Sequence, residues 1–294
     1  MDLAISIINY KTKDLSEKCI KSILEKKWKI NYQIWLVDNA SNDGSLEYLK
    51  ENFPKVNFIK SNNNLGFAGG HNLALKKIKN SRYIAILNSD TEVTGEVLDG
   101  MVKFLDENEK IGVASCKVLG FDRALQPNGG DLPLGFALIN WLFNLDFPNF
   151  PNFHRNEQSY YEREHEVGWV SGNFMVINRK VIESIGLFDD KYFMYFEDAD
   201  FCFRAKKKGF SVWINPKYSI KHLSGGSLDD PKFRQWSGEY KGLIYFYKKN
   251  FGIFESLVVK LLIYVSTIFR MIAFALTGRL SYAKTYGKVL ASLR

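Results

Sequence analysis

The chain has 294 residues, of which 46% are hydrophobic and 24% charged, an ordinary globular composition with room for one large domain or one domain and an appendage. Its three cysteines form no CxxC pair, its four histidines show no HExxH spacing, and no secretory signal pattern is present, which argues against a zinc site and favours a reducing, cytoplasmic compartment. The net charge of +8 lies in one segment, 241–294, with nine Lys or Arg and one acidic residue, which excludes a generally basic nucleic-acid binder.

Strand-like and helix-like segments alternate over the first 115 residues. Short apolar runs such as LAISIINY and YIAILN are typical of buried strands, whereas apolar residues at every third or fourth position are typical of helices. The repeated β-α order predicts a mostly parallel, doubly wound sheet, in which ligands bind beyond the carboxyl ends of the strands. The predicted strands are 3–10, 32–37, 57–60, 83–88 and 111–116, and the predicted helices are 14–27, 44–52, 69–80 and 95–108.

Polar clusters follow four of these strands, at residues 9–11, 38–45, 61–70 and 88–90. Asn, Ser, Asp and Gly are common in turns, so each cluster alone indicates only a turn. Four such clusters at the edge where ligands bind favour a binding site. A nicotinamide-binding domain is a poor match, because the GxGxxG motif that should follow the first strand is replaced by Asn9-Tyr10-Lys11-Thr12.

Residues 117–167 lose the alternating pattern and are rich in Asn, Pro, Gly and aromatic residues. Loops of this length are usually functional or mobile. The segment is interpreted either as a lid on the acceptor side of a site or as a plain surface excursion.

The stretch 168–227 contains most of the candidate catalytic residues. FMVIN is strand-like, and a helix is predicted from Asp198 to a stop at Gly209, with acidic residues in its first turn. Asp198 is either the cap of this helix or a general base, since neighbouring aromatic residues would raise its pKa. His222 follows a strand-like segment and is either a structural hydrogen-bond partner or a ligand-binding residue.

Six motifs occur in one order, and together they resemble family 2 glycosyltransferases with the GT-A fold. The closest resemblance is to the rhamnosyltransferase-like branch, which builds bacterial cell-surface polysaccharides, and it covers about residues 3–250. It implies a Rossmann-like, mostly parallel sheet flanked by helices, with a C-terminal helical appendage. A GT-A domain is expected at 1–240, with a nucleotide-sugar half at about 1–116 and an acceptor half at about 117–240. The motifs are IINYKT, VDNASNDGS, NNNLGFAGGHN, LNSDTEV, GLFDDKYFMYFEDADFCFRAKKKGF and KHLSGGS.

The resemblance implies a divalent metal site. The family's Asp-x-Asp-type motif here reads Asn88-Ser89-Asp90, which keeps only the last carboxylate. Asp90 is then the metal ligand, Asn88 offers at best a neutral oxygen, and His222 matches the family's later histidine that completes the site. One carboxylate with diphosphate oxygens and waters is an acceptable ligand set for Mn²⁺ or Mg²⁺.

The resemblance also implies the residues that meet the substrates. Asp38 matches the acid that meets the nucleoside base, and Tyr10 lies where a side chain packs on it. Trp169 and Gly172 match the floor of the acceptor pocket, although the residue type favours a core position for Trp169. Nucleotide-binding roles are expected for Tyr10, Asp38, Asn64, Gly66, Asn72, Asn88 and Ser89.

Asp198, in the sequence Glu197-Asp198-Ala199-Asp200, matches the catalytic base, and Glu197 is placed with it. The implied activity is that of a metal-dependent hexosyltransferase with inversion at the sugar. The donor is a nucleoside-diphosphate sugar, dTDP-rhamnose or a UDP-sugar, and the acceptor is a glycan or a polyprenyl-diphosphate-linked sugar.

The segment 241–294 is apolar but is interrupted by Lys260 and Arg270, so a membrane-spanning helix is not expected. A basic amphipathic helix that lies on an anionic membrane surface fits the pattern. The alternative is a helical pair that packs on the catalytic domain or forms a homodimer. The resemblance implies a cytoplasmic enzyme, peripheral on the inner face of the cell membrane.

Two other functions remain open from the residues. Loss of one acid from the Asp-x-Asp pattern leaves room for a non-catalytic nucleotide-sugar-binding scaffold, against which the intact Asp198 argues. A nucleotidyltransferase would have a basic, Gly-rich loop after the first strand, and that loop is absent from the sequence.

Overall fold

A computed structural model describes residues 1–145, 147, 150–223 and 231–293. The chain forms two compact units. The sheet unit contains Met1–Gly130, Arg155–Phe193 and Glu197–Ser227, and the helical unit contains Asp131–His154, Met194–Phe196 and Leu228–Arg294. The domain boundary expected after residue 240 falls inside a helix, Pro231–Asn250.

The sheet unit follows the predicted alternation of strands and helices. Short strands that the sequence did not suggest also occur in it, among them one directly after Asp90. The strands are β1 (Leu3–Asn9), β2 (Tyr32–Asp38), β3 (Asn57–Lys60), β4 (Tyr83–Asn88), β5 (Thr91–Val93), β6 (Ile111–Leu119), β7 (Gly129–Gly130), β8 (His165–Glu166), β9 (Trp169–Val170), β10 (Phe174–Asn178) and β11 (Ser211–His222). The helices are α1 (Lys13–Leu24), α2 (Ser45–Asn52), α3 (Gly66–Lys77), α4 (Val97–Asp106), α6 (Arg179–Ile185) and α7 (Glu197–Lys207), with a 3₁₀ turn at Gln158–Tyr161.

The main sheet has the strand order β3-β2-β1-β4-β10-β6-β11-β5, and β8 pairs with β11. β1, β2, β3 and β4 are parallel, and β6 is parallel to β11. β10 is antiparallel to both β4 and β6, while β5 and β8 are antiparallel to β11. The sheet is therefore mixed but mostly parallel, as predicted.

β4 lies on the opposite side of β1 from β2, so the chain reverses its direction of winding at this point. In open α/β sheets such a switch point creates a crevice at the carboxyl ends of the strands. The carboxyl ends of β1, β2, β4 and β11 share this edge with the first residue of β10, because β10 runs the other way. We call it the carboxyl edge.

Burial explains why the strands read as nearly continuous apolar runs. Six of the seven residues of β1 are buried, as expected for a parallel strand covered on both faces. Ile20 of α1 and Met101 of α4 are completely buried in the core that also contains Ile5 and Leu36. The polar residues of the carboxyl edge thus stand on a rigid apolar base.

The helical unit consists of α5 (Gly135–Phe143), α8 (Pro231–Asn250), α9 (Ile253–Leu276) and α10 (Leu280–Ala291). Trp141 of α5 lies 4.5 Å from Phe153, and Phe153 stacks on Phe196 at 5.1 Å, measured between ring centroids. α5 lies inside the segment expected to be an irregular loop. Its sequence GFALINWLF is apolar except for Asn140, so it lacks the spacing of apolar residues by three or four positions from which we predicted the other helices.

α9 passes a test that the sequence argument did not apply. By length and composition it is long and apolar enough to cross a membrane, but one such helix is weak evidence of a span, and the expectation that it does not cross stays a prediction. Arg270 lies on the side of α9 that packs inside the helical unit, where it donates to the hydroxyl of Tyr286 at 2.9 Å and to the carbonyl of Trp141. This cation is therefore hydrogen-bonded within the protein and is only partly exposed.

Candidate active site

The ends of β1 and β2 are joined by a buried polar network. The Asn9 amide nitrogen donates to Asp38 Oδ1 at 2.8 Å and lies within hydrogen-bond distance of Ser41 and Ser45 Oγ. Asp38 Oδ2 accepts from the Ser41 backbone N–H at 3.2 Å, and Asp38 is only 2% exposed. Asp38 thus lies at the carboxyl edge, as predicted, with both oxygens held in place and lone pairs remaining on each.

A second contact links the ends of β1 and β4. Thr12 Oγ1 donates to Asn9 Oδ1 at 3.1 Å and lies 3.1 Å from Ser89 Oγ. Ser89 is therefore held beside the end of β1. Tyr10, the residue that follows β1 in the sequence, is 36% exposed. These residues occupy the switch point, where a ligand of such a sheet would lie.

Asn64 and Gly66 shape the loop before α3. Asn64 Oδ1 accepts from the Asn39 side chain at 3.0 Å and from the Gly66 N–H at 2.9 Å. Gly66 has a φ of +69°, and a Cβ there would lie 2.0 Å from the carbonyl oxygen of Phe193. Glycine is required at this position by the neighbouring backbone, so a ligand is not needed to explain it.

Asn72 does not reach the carboxyl edge. Its amide nitrogen donates to the Phe188 carbonyl at 2.9 Å, its oxygen accepts from the Phe188 N–H at 3.2 Å, and the residue is 5% exposed. Both ends of the side chain are used to hold the Phe188 backbone. These contacts therefore do not support the nucleotide contact expected for Asn72.

Gln126 determines which nitrogen of His222 carries a proton. Gln126 Nε2 donates to the backbone carbonyl of His222 at 2.9 Å, so the other amide atom, Oε1, faces His222 Nδ1 at 2.8 Å. A carbonyl oxygen can only accept, so Nδ1 must carry the hydrogen. In neutral His222 the lone pair is then on Nε2.

His222 Nε2 faces Asp90 Oδ1 at 3.2 Å and the Asn88 amide nitrogen at 3.4 Å. Two electron-pair donors brought this close, with the remote imidazole N–H held by an oxygen, are the usual arrangement of a histidine and a carboxylate that bind one metal ion. Within the described residues no third His, Cys, Asp or Glu joins them. The two predicted ligands thus come together and fit a divalent ion whose remaining ligands come from elsewhere. The Gly-rich turn expected directly behind His222 falls in residues 224–230, outside the described residues.

Asp198 lies in the first turn of α7. Its Oδ1 accepts from the Ala199 N–H at 2.8 Å, and its Oδ2 accepts from the Gly172 N–H at 3.1 Å. A Cβ on Gly172 would lie 2.4 Å from the Phe67 ring, so the glycine permits a close approach of the backbone. Both interpretations of Asp198 remain compatible: it serves the helix N-terminus, and its carboxylate is held by the chain just before β10.

One backbone hydrogen bond connects the two halves of the site. The Asn88 N–H donates to the Asn173 carbonyl at 3.2 Å. Asn173 follows Gly172, and Asn88 lies two residues before Asp90. The metal-ligand pair and the Asp198 carboxylate therefore lie at the same edge, although they come from distant parts of the sequence.

Glu197 and Asp200 differ from Asp198 in their surroundings. Burial, and then the negative charge of Asp198, raise the pKa of Glu197 well above its usual value, and Glu197 Oε2 has no hydrogen-bond partner among the described residues. Asp200 is completely buried, and its carboxylate accepts from Arg204 at 2.7 Å. Glu197 is therefore a buried carboxyl group whose protonated form is favoured, and Asp200 is half of a structural ion pair.

Trp169 is 6% exposed and belongs to the two-stranded sheet in which it pairs with Gly130. This burial favours the interpretation as a core residue over that of an acceptor floor.

Some residues of the site were missed from the sequence. Asn39 and Ser41 lie in the polar cluster 38–45, and Thr12 directly follows the cluster 9–11, so their positions after strands could have identified them. Gln126 comes from the irregular segment, 96 residues from His222, and no local pattern marks it. His71 was also missed: it contacts Ser6 Oγ through Nδ1 at 2.8 Å, and burial lowers its pKa to about 3, so it is neutral.

A cleft of about 530 Å³ lies at the opposite edge of the sheet, beside Tyr83 at the start of β4. Its arginines are bound within the protein, since Arg82 pairs with Asp2 and Asp106 and Arg179 bonds Ser81. None of the predicted site residues lines this cleft, so the candidate site is the carboxyl edge.

The chain resembles known proteins in both its sequence and its structure. The sequence model of glycosyl transferase family 2 matches residues 4–186, more than half of the chain. The low-salt glycan biosynthesis hexosyltransferase Agl10 of Haloferax volcanii is 26% identical over 216 residues, which cover 72% of this chain and 64% of that protein, less than two thirds of its length. The N-acetylglucosaminyl-diphospho-decaprenol L-rhamnosyltransferase of Mycobacterium tuberculosis is 23% identical over 211 residues, 67% of this chain and 69% of that protein.

Solved structures agree with the fold. The mannosyltransferase PcManGT from Pyrobaculum calidifontis, in complex with GDP-Man and Mn²⁺, superposes with a TM-score of 0.61 at 13% identity and covers 98% of this chain and 86% of its own. Residues 1–349 of S. aureus TarS give a TM-score of 0.55 at 14% identity, with 100% and 91% covered. The fold and the family implied by the ordered motifs are thus confirmed. The chain belongs to glycosyl transferase family 2, in its rhamnosyltransferase-like branch, and has the GT-A fold.

Proposed function

We propose that the protein is an inverting, metal-assisted hexosyltransferase that uses a nucleoside-diphosphate sugar as its donor. The observation that carries the proposal is the placement of the Asp198 carboxylate, held by the Gly172 N–H, at the same edge as the Asp90–His222 pair. A base and a metal-ligand pair at one edge of the sheet are the two elements that sugar transfer from a diphosphate requires.

In the proposed reaction Asp198 accepts the proton of an acceptor hydroxyl. The hydroxyl oxygen forms a bond to the anomeric carbon while the bond from that carbon to the phosphate oxygen breaks. The nucleoside diphosphate leaves with the electron pair, and the single displacement inverts the sugar. Gly172 holds Asp198 through one carboxylate oxygen, which orients the carboxylate for this step.

Asp90 Oδ1 and His222 Nε2 are the groups that would hold the metal, with Gln126 as the acceptor of the remote imidazole N–H. The chemistry that Mn²⁺ or Mg²⁺ supplies at such a position is neutralisation of the charge that grows on the departing diphosphate. Diphosphate oxygens and waters would complete the ligand set.

Donor contacts are assigned to the ends of β1, β2 and β4. Asp38 faces the nucleoside base, Tyr10 packs on it, and Ser89 and Asn64 lie beside the ribose and phosphates. The sequence 1–116 is then the nucleotide-sugar half of the protein, and the acceptor half follows it.

The relatives suggest the substrates. The mycobacterial relative is named as a rhamnosyltransferase that acts on a diphospho-decaprenol-linked sugar, so the proposal names dTDP-rhamnose or a UDP-sugar as donor and a glycan or polyprenyl-diphosphate-linked sugar as acceptor. Such acceptors are membrane-bound, and the proposal therefore includes a peripheral position of the enzyme on the cytoplasmic face of the cell membrane.

The test begins with calorimetric titration of UDP, TDP and GDP, each with and without Mn²⁺. We expect one nucleotide to bind, and to bind more weakly without the metal. The corresponding sugar donors are then offered with a short-chain polyprenyl-diphosphate acceptor, and the anomeric configuration of the product is read by NMR. Retention of configuration would overturn the inverting mechanism, and metal-independent binding would overturn the metal assignment.

The alternative is a nucleotide-sugar-binding scaffold without catalytic activity. It rests on the absent first carboxylate of the metal motif, where Asn88 stands. Nucleotide binding without sugar transfer or donor hydrolysis for any donor would favour it over the transferase.

A further inference from the structure

One face of α9 is apolar and exposed along its whole length. The exposed side chains are spaced by three or four residues, so they form a single stripe on a helix that is about 36 Å long. Phe254 and Leu276, near the two ends, are 74% and 83% exposed. The stripe consists of Phe254, Leu257, Val258, Leu261, Val265, Ile268, Phe269, Ile272 and Leu276.

The opposite face of α9 is fixed inside the helical unit. Val259 and Ile263 are buried, and Ser256 Oγ donates to the Ile244 carbonyl at 2.9 Å. Arg270 is bonded to Tyr286 and to the Trp141 carbonyl on this side. Because one face is committed to protein contacts, only the stripe is free to contact lipid.

The apolar surface continues onto α5. Phe136, Phe147 and Phe150 are 43 to 52% exposed, and their ring centroids lie 5.2 to 6.3 Å apart. Phe143, two turns after Phe136, lies 6.4 Å from Phe269 of the stripe. Large contiguous apolar surfaces of this kind mark an interaction site.

The positive charge at the two ends of α9 distinguishes between two possible partners of the stripe, a second copy of the chain and an anionic lipid surface. Exposed Lys248 and Lys249 precede α9, and exposed Arg279 and Lys284 follow it, whereas Glu255 is the only acidic residue from position 241 to the end of the sequence. Two copies paired stripe to stripe would bring like charges together at both ends, whether the helices were parallel or antiparallel. An anionic lipid surface is attracted by these cations and accepts the apolar stripe.

We propose that the stripe of α9, with Phe136, Phe147 and Phe150, docks in the plane of an anionic lipid bilayer, and that α9 does not span it. The long axis of α9 then lies parallel to the membrane surface, with its apolar side chains below the headgroups. The inference is independent of the proposed sugar transfer, since it concerns only the helical unit.

The first test is flotation of the full chain with vesicles of phosphatidylcholine, with and without phosphatidylglycerol. We expect binding about tenfold tighter with the anionic lipid and weaker at high salt. The double variant Leu261→Gln, Ile268→Gln should bind at least tenfold more weakly, whereas Phe121→Gln, an exposed phenylalanine of the sheet unit, should bind as the wild type does. Unchanged circular dichroism and thermal midpoint show that each variant is folded.

The second test measures orientation. The three native cysteines are buried, so spin labels can be attached selectively at Phe254→Cys or Ile272→Cys, which lie on the same side of α9 about 27 Å apart. An in-plane helix gives the same depth for both labels, while a spanning helix gives depths that differ by most of the bilayer. Different depths, equal binding of the double variant, or no vesicle binding by the wild type would each overturn the proposal. A wild-type dimer that the double variant dissociates would assign the stripe to a second copy.

Discussion

The two compact units differ in where their apolar side chains lie. The sheet unit buries its strands and brings polar side chains together at one edge, where Asn9, Asp38, Asp90, His222 and Asp198 are held by specific hydrogen bonds. The helical unit leaves a continuous apolar stripe of α9 exposed to solvent, while Arg270 of the same helix is hydrogen-bonded to Tyr286 within the unit. The first arrangement suits chemistry, which needs fixed geometry, and the second suits adhesion to a fluid surface, which does not. Substitutions should therefore separate the two properties.

The largest expected effect is that of Asp198→Asn on sugar transfer. Removal of a general base lowers turnover by about 10²–10⁴-fold, and the asparagine can accept only one of the two backbone hydrogen bonds at this site. Vesicle binding should be unchanged. The measurement is the initial rate at saturating donor and acceptor, beside flotation of the same protein.

Glu197→Gln is the matched control, because burial favours the protonated form of this neighbouring carboxyl group and glutamine resembles that form in shape. It should keep most of the activity. Full activity of Asp198→Asn would remove the base from the mechanism, and loss of activity in Glu197→Gln would show that the ionised form of Glu197 is needed.

Rigidity of the carboxyl edge is tested next, through stability. Gly66→Ala combines a left-handed φ with a Cβ that would lie 2.0 Å from the Phe193 oxygen, and we expect a loss of about 2–5 kcal/mol. Gly44→Ala has a similar φ of +79° in open space and should lose only about 1–2 kcal/mol.

By contrast, Leu261→Gln on the stripe should change the free energy of unfolding by no more than about 0.5 kcal/mol, since the side chain is 64% exposed. Urea denaturation of the three variants gives the ranking. Equal losses for Gly66→Ala and Leu261→Gln would mean that the edge is no more rigid than the exposed helix face.

A smaller effect is expected at Gln126. Gln126→Met removes the acceptor of the His222 Nδ1–H and should weaken Mn²⁺ binding by about 10–100-fold. Gln126→Glu keeps an acceptor there and should retain more of the affinity. The measurement is titration of Mn²⁺ in the presence of the nucleoside diphosphate that binds, so it does not depend on turnover. Equal affinities of all three proteins would show that His222 is not a metal ligand or that its tautomer is unimportant.

The smallest effect concerns pH. The folded protein raises the pKa of Glu197 above the usual value of 4.5, so the protonated form is favoured by folding, and stability from this group is lost as pH rises from about 4.5 through the raised pKa. The free energy of unfolding of Glu197→Gln should therefore decline less steeply with rising pH than that of the wild type, by up to about 1.4 kcal/mol per pH unit. Denaturant unfolding of both proteins from acidic to alkaline pH measures the difference, and parallel curves would contradict it.

The alternation of strands and helices was predictable because apolar periodicity is local. β1, β2, β3 and β4 fall within a residue of their predicted bounds. The reversed direction of β10 was not predictable, because FMVIN reads the same whether its neighbours run parallel or antiparallel. α5 was missed for a similar reason. Apart from Asn140 its residues are apolar or glycine, so the sequence does not show which side of the helix is buried.

The residues of the site also fall into those that the sequence could identify and those that it could not. Asp90, Asp38 and Asp198 could be identified from polar residues after strands and from ordered motifs. Gln126 could not, since its role exists only through a contact that folding creates with His222. Asn72 shows the converse, because a residue that matches a motif is used to hold the Phe188 backbone.

The reversed direction of β10 limits how the chain length can vary. Phe174 lies opposite Leu87, and Val176 opposite both Ala85 and Ala114, so neighbours on both sides fix its register. An insertion or deletion of one residue there would turn every side chain of β10 to the other face of the sheet. The same change would carry the Gly172 N–H away from Asp198. Indels should therefore be tolerated at open surface turns such as Gly95, whereas the stretch leading into β10 should keep its length in any active variant of this enzyme.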